Sequence, residues 1–247
     1  MSLASFFGKK SVEKNKPAEI VFKSPSFHNR LENMIAAGFS AKCIIDCGAS
    51  VGMWSLGISK YFSNAQIIAV EPNANVLPET KQTLANVKPQ VIIEECALAD
   101  KEGEAFFNVF FNDDGTKMSA SSLKDHVMNT AASRLKVRLD TIDNICAKHK
   151  LEPNLIKLDL QGGELDALKG AERTLRRAEV VVSEFGCLPA YIDRTTPFEL
   201  MQIMYEYDYC LYDIIDLLYR PYDHALAGGD FIFVKNGSKL KEYKGYS

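Results

Sequence analysis

The chain has 247 residues, a length that suits one large α/β domain or two small ones. Apolar residues make up 47% and charged residues 25%, close to the average of globular domains, which argues against disorder, collagen and coiled coil. Against 32 acidic residues stand 29 basic ones, a net charge of −3, so the chain lacks the overall basic excess that a nucleic-acid binder usually carries.

Residues 1–25 are rich in Lys, Ser and Pro with weak periodicity and read as an arm or cap. Ser26 to Gly38 reads as a helix, with Ser at its start, Leu31, Met34 and Ile35 at helical spacing, and Gly at its end. Residues 1–40 are thus expected to form an N-terminal arm and helical cap, and 41–247 the main domain. A regular alternation then begins: strand Lys42–Cys47, helix Val51–Tyr61, strand Ala65–Val70, helix Asn75–Val87 and strand Val91–Ala97. Such alternation predicts βαβ units and a parallel sheet. The pattern changes between Glu104 and Asp140, with strands at Glu104–Phe111 and Lys136–Leu139, a turn at Asn112–Gly115 and a polar stretch between. We read residues 104–139 as an insertion or extra hairpin. Alternation resumes with helix Asp140–His149, strand Leu155–Leu160, helix Gly163–Arg177, strand Val180–Glu184, helix Pro197–Tyr207 and closing strands at Cys210–Ile214 and Asp230–Val234. About seven strands of one sheet result.

No apolar run approaches the ~20 residues of a spanning helix, so no membrane span is expected. The short apolar stretch near the N-terminus precedes its charges, which makes a poor signal peptide. The six cysteines, Cys43, Cys47, Cys96, Cys146, Cys187 and Cys210, form no C-x-x-C pair. They read as reduced residues of a cytoplasmic protein, mostly in its core, and no metal site is expected.

The sharpest motif is Asp46-Cys47-Gly48-Ala49-Ser50-Val51-Gly52, a buried strand turning through glycines into a helix. Glycine lets backbone approach a ligand, and a helix N-terminus offers free N–H groups. No Gly-Lys-Ser/Thr closes the loop, and the full G-x-G-x-x-G fingerprint is missing, so neither a Walker A loop nor a standard dinucleotide site is indicated. Val70-Glu71-Pro72 follows, with Glu71 ending the second strand, where an acid can accept both ribose hydroxyls. Cys96, Ala97 and Leu98 close the third strand and can line an adenine pocket. Asp46 can face a cofactor's amino group or hold the loop amides; the residues leave both open.

These motifs resemble the S-adenosylmethionine-binding motifs of class I methyltransferases. Leu155-Ile156-Lys157-Leu158-Asp159-Leu160-Gln161-Gly162-Gly163-Glu164, followed by Leu168-Lys169-Gly170-Ala171, resembles the FkbM-type methyltransferases, whose signature runs near I-K-I-D-V-E-G-A-E with L-K-G-A after it. Ala97–Asp100 and Leu139–Asp143 fit the same pattern, and the resemblance covers roughly Ala41 to Lys235. It implies a doubly wound, mostly parallel seven-strand α/β sheet with a reversed last strand. It also implies S-adenosylmethionine as cofactor and methyl transfer to a hydroxyl, often on a sugar, glycan or polyketide-like natural product. The chain departs from the family at Ser50, where Asn is common, and at Gln161 and Gly163, which replace Glu and Ala.

Methyl transfer from a sulfonium is an in-line displacement, so the protein mainly positions the reactants. A hydroxyl nucleophile also needs a base, which contributes ~10²–10⁴-fold. Alternation along Leu155–Leu160 puts Lys157 and Asp159 on one face. We expect Asp159 to touch the cofactor's methionine part or the acceptor, and Lys157 to hold or tune it; a purely structural ion pair is the alternative. Glu184, at another strand's carboxyl end, is a candidate base or hydroxyl anchor. Glu164 reads as a residue of a helix's first turn rather than a catalyst. His224 is a weaker base candidate, and His28, His126 and His149 read as surface or packing residues. Ser119, Ser121 and Ser122 can bond cofactor or sugar, or form a plain loop. The tyrosine-rich segment Tyr205–Tyr222 packs in the core or stacks on a sugar or a second copy in a homodimer. A nucleic-acid methyltransferase, a cofactor-binding protein without transfer activity and a nicotinamide-dependent oxidoreductase are the rivals to this reading.

Overall fold

The computed structural model describes residues 24–110, 121–127, 132–188, 190–243 and 245. Helix α1 (Phe27–Ala36) starts at Ser26, whose hydroxyl accepts the Asn29 amide, and the chain turns at Gly38 with φ +96°. Strands β1 (Cys43–Cys47), β2 (Gln66–Val70) and β3 (Ile92–Glu94) then alternate with α2 (Met53–Ser59) and α3 (Leu77–Leu84). A small second sheet follows from β4 (Ala97–Leu98), β5 (Gly103–Phe110) and β6 (Ala132–Asp140), in the order β4-β6-β5. The chain continues through α4 (Ile142–His149), β7 (Leu155–Leu158), α5 (Glu164–Lys169), α6 (Glu172–Leu175), β8 (Val180–Gly186), α7 (Pro197–Glu206), β9 (Tyr209–Tyr219) and β10 (Leu226–Lys235).

The main sheet has seven strands in the order β3-β2-β1-β7-β8-β10-β9. Strands β1, β2, β3, β7 and β8 pair in parallel, while β10 runs antiparallel to both neighbours. The reversed last strand is therefore β10. The chain moves outward from β1 to β3 on one side and from β7 to β8 on the other. That places the topological switch point between β1 and β7, and ligands of open α/β sheets bind in the crevice at such a point.

The sheet is buried on both faces, as near-continuous apolar strands require. Ile45, Ile156, Leu158 and Val181 face one core with Ile142, Leu168, Leu175 and Leu200. Ile44, Leu155, Val180 and Val182 face the other with Leu31, Met34, Ile58 and Leu84. Each such side chain contributes about 1.5–3 kcal/mol on burial. Alternation along β7 sends Lys157 to the face of α1 and α2, where its ammonium lies 5.8 Å from the Trp54 ring centroid. Just before α1, Pro25 and Ser24 accept the Asp216 and Leu217 amides of edge strand β9.

Several predicted elements differ in extent: β6, β9 and β10 are longer than the expected Lys136–Leu139, Cys210–Ile214 and Asp230–Val234, while α3 and β7 are shorter than the expected Asn75–Val87 and Leu155–Leu160. The expected strand Val91–Ala97 stops at Glu94, and Ala97–Leu98 pairs instead with β6 in the second sheet. The expected helix Gly163–Arg177 breaks into α5 and α6. Asp143 explains the break: its carboxylate accepts the Arg173 and Thr174 amides at 2.8 and 2.9 Å, which caps a new helix start. The predicted turn at Asn112–Gly115 lies outside the described residues. Among those described, no helix is long and apolar enough to cross a membrane.

Candidate active site

The glycine loop leaves β1 and is fastened on both sides. The Gly48 and Ala49 amides both donate to the Val70 carbonyl at 3.0 Å, and the Asp159 amide donates to the Cys47 carbonyl at 3.0 Å. Gly48 adopts φ +86°, and a Cβ there would lie 2.0 Å from the Asp159 carbonyl oxygen. Only glycine lets the loops after β1 and β7 touch. Glu71 accepts the Ser50 amide on one carboxylate oxygen and the Asn73 amide on the other, each at 2.8 Å. Burial pushes its carboxyl up to about 6, against the pull of these two amides.

A first cleft of about 310 Å³ lies over this loop. Of the predicted residues, Gly48, Ser50, Glu71, Pro72, Cys96, Ala97, Leu98, Asp159 and Glu184 line it. Asp46, Ala49, Gly52 and Lys157 do not. Asp46 is fully buried; it accepts the Ser55 hydroxyl at 2.6 Å, and its other oxygen has no partner among the described residues. It holds no loop amide there. Burial raises its carboxyl above the usual range, opposed by Lys157. Gly52 is the left-handed residue before α2, at φ +83°.

Beyond the loop stands a cluster of charges. The Lys157 ammonium meets Asp159 at 2.9 Å. Burial pulls the lysine down, but Asp159 and Asp46 outweigh it and keep it charged. Burial likewise pushes Asp159 up, but Lys157 and the hydrogen bonds of Gln161 and Glu184 hold it below the usual carboxylate range. At Glu184 burial, then the neighbouring Asp159, push the carboxyl up to about 8. Asp230, opposite Glu184 across the β8–β10 pairing, is pushed up by burial to about 6.

Sequence reasoning missed the residue that joins these groups. The Gln161 amide nitrogen donates to both Asp159 and Glu184 at 2.9 Å, and its side-chain oxygen accepts the Tyr191 hydroxyl at 3.1 Å. The available signal was its departure from the family's usual Glu. Ser122, from the segment over the site, donates to the Gln161 backbone carbonyl at 2.8 Å. Ser121 lines the first cleft with a buried hydroxyl that has no partner among the described residues.

A second cleft of about 570 Å³ adjoins the first and shares Asp159, Gln161 and Glu184 as lining. His126, Tyr191, Arg194 and Asp230 also line it. His126 was expected at the surface or in packing; it stands T-shaped against Tyr191, with ring centroids 5.1 Å apart. His149 instead pairs with buried Glu94 at 2.5 Å. His224 lines neither cleft, and Ser119 lies outside the described residues. Glu164 sits at the start of α5 and accepts the Leu160 and Gly162 amides at 2.9 and 3.1 Å, bracing the loop that carries Gln161. Of the tyrosine-rich segment, Tyr209 is core, while Tyr205 and Tyr222 are exposed.

A seven-strand sheet of this order with β10 reversed, a glycine loop at its switch point and an acid directly after β2 are the features of a Rossmann-like methyltransferase fold. The chain belongs to the FkbM methyltransferase family: the Methyltransferase FkbM domain matches residues 46–211, well over half of it. The 2-O-methyltransferase NoeI of Sinorhizobium fredii is 24% identical over 177 residues, covering 64% of this chain and 72% of that protein. AMB antimetabolite synthetase AmbE of Pseudomonas aeruginosa is 25% identical over 160 residues, 52% of this chain. That match spans only 8% of AmbE's length. Among solved structures, a putative rRNA methylase from Clostridium thermocellum is similar with a TM-score of 0.48 and 7% identity, over 87% of this chain and 100% of that one.

Proposed function

We propose that the protein is an S-adenosylmethionine-dependent O-methyltransferase acting on a hydroxyl of a sugar, a glycan or a hydroxylated natural product. The observation that carries the reading is the shared wall of the two clefts, where Asp159, Gln161 and Glu184 stand between a cofactor-sized space and a second space for an acceptor. The relative NoeI, a 2-O-methyltransferase by name, supports a hydroxyl as the target.

The residues of the first cleft fit the cofactor. Glu71 keeps lone pairs beyond those taken by the Ser50 and Asn73 amides, and these suit ribose hydroxyls. Cys96, Ala97 and Leu98, with Val76 and Phe107, give an apolar wall for adenine. Gly48, Ser50 and Asp159 would hold the methionine part, and the unpartnered Ser121 hydroxyl offers a further bond. When bound, S-adenosylmethionine supplies an electrophilic methyl group.

In this reading Glu184, once ionised, takes the proton of the acceptor hydroxyl. Its raised affinity for a proton suits that task, whereas Asp159, held ionised by Lys157, is the weaker base. Asp159 instead orients the reactants, Lys157 positions Asp159, and Gln161 sets the carboxylates relative to each other. A nucleic-acid acceptor fits less well, because the chain carries a net charge of −3 and no overall basic excess. A non-catalytic cofactor binder would not need Asp159, Gln161 and Glu184 gathered at the wall that the two clefts share. A reducing, cytoplasmic setting belongs to the proposal, supported by six free thiols.

The test is incubation with methyl-labelled S-adenosylmethionine and a panel of polyhydroxylated acceptors. The reading predicts a methyl ether, with kcat lowered roughly 100-fold or more in Glu184→Gln. Label appearing on carbon or nitrogen, or full activity in that variant, would contradict it.

A further inference from the structure

Arg194, on the loop between β8 and α7, is a cation that lines the second cleft. One terminal nitrogen donates to the Leu188 carbonyl at 2.9 Å. Among the described residues its Nε is buried without an acceptor, and no carboxylate lies within ion-pair distance. Two of the acids that line the same cleft are engaged elsewhere. Asp159 is taken by Lys157, and Asp216 accepts the Phe27 amide at 2.9 Å.

The strand beneath is shaped for this side chain. A Cβ on Gly186 would lie 2.1 and 2.3 Å from the two terminal nitrogens of Arg194 and 2.4 Å from its central carbon. The guanidinium therefore rests on bare backbone in a notch that only glycine leaves open. Glu184 and Gly186 are two residues apart on β8, so they point to the same face. Two strand residues span about 7 Å.

We propose that Arg194 is the anion-recognition residue of the second cleft and that the acceptor is a hydroxy acid or sugar acid. Its carboxylate would lie about 7 Å from the hydroxyl presented to Glu184. The planar guanidinium matches a planar carboxylate through paired N–H donors. Acids in the same cleft favour a single negative charge over a dianionic phosphate. The inference rests on the methyltransferase reading only for which group of the acceptor reacts.

The test uses the whole protein without cofactor and follows the Arg194 side-chain Nε–H by NMR, assigned through its loss in Arg194→Gln. D-glucuronate, D-glucose and inorganic phosphate are titrated separately at matched ionic strength. The proposal predicts a saturable shift with glucuronate, none with glucose, and glucuronate affinity weakened roughly tenfold or more in Arg194→Gln. Gly186→Ala keeps the charge but displaces the guanidinium, a flexible group that can move without unfolding the strand, so it should weaken glucuronate likewise. An Arg194 signal unmoved by glucuronate, unchanged affinity in Arg194→Gln, or phosphate binding as tightly as glucuronate would overturn it. Titration of the wild type with S-adenosylmethionine separates the two readings: no binding there defeats the methyltransferase assignment and leaves the carboxylate result standing.

Discussion

Gly48→Ala probes the contact on which the site is built. At φ +86° a side chain costs roughly 1–2 kcal/mol. The new methyl would lie 2.0 Å from the Asp159 carbonyl oxygen, where ordinary C···O contacts begin near ~3.3 Å. The loops after β1 and β7 must therefore part by more than about 1 Å, and overpacking of this kind costs a further ~1–3 kcal/mol. Together these give about 2–5 kcal/mol, or a fall in Tm of roughly 4–20 °C for a domain of this size. Displacing the segment that carries Asp159 by about 1 Å would also lower kcat on the order of 100-fold. Gly57→Ala in α2 is the control, because its Cβ would meet only the His28 ring, at 3.7 Å. Alanine in a helix interior stabilises by up to about 1 kcal/mol. Thermal melts of the two variants side by side make the assay. If Gly48→Ala melts at or above the wild-type temperature, the loop geometry and the reasoning from it are wrong.

Three further outcomes follow from the charge cluster. Glu184, Glu71 and Asp230 all hold protons in the folded chain at a pH where the unfolded chain has released them. Unfolding free energy should thus fall as pH rises from about 5 to 8, with at most ~1.4 kcal/mol per pH unit from each group. Denaturant unfolding across that range should show a shallower fall in Glu184→Gln, and an identical slope would refute the assignment. Lys157→Met strands half-exposed Asp159 and buried Asp46 without their cation and should destabilise by about 1–3 kcal/mol, part of which Asp159→Asn restores; simple additivity of the two losses would count against the pairing. Gln161→Ala and Tyr191→Phe remove two ends of one hydrogen bond, so a double-mutant cycle on stability should give a coupling of about 0.5–1.5 kcal/mol. Values that add within about 0.3 kcal/mol would show that the two side chains do not cooperate.

Much of the frame was legible because local chemistry wrote it. Apolar strands bounded by Gly48 and Pro72 announce parallel strand ends, and their order along the chain places them at one crevice. What escaped was set by contacts remote in sequence. Nothing near Gly170 reveals that Asp143 caps a second helix there, since that bond joins residues 30 apart. Ala97 and Leu98 look like the end of a third strand until β6 offers them a different partner. Gln161 reads as a missing acid, but with Tyr191 brought 30 residues along the chain to its oxygen it becomes a bridge between two carboxylates. Asp46 misleads in the opposite sense: its place before the glycine turn suggests a ligand contact, yet alternation buries it toward Ser55. Arg194 carries no motif, and its setting emerges only from the bare backbone of Gly186 beneath it.

The most direct measurement is calorimetric titration of the wild type with S-adenosylmethionine and, separately, with NAD, repeated on Glu71→Ala. The account predicts that S-adenosylmethionine binds, that NAD does not, and that loss of the Glu71 carboxylate weakens the first roughly tenfold to 100-fold. Binding of NAD without S-adenosylmethionine, or affinity for S-adenosylmethionine indifferent to Glu71, would contradict it.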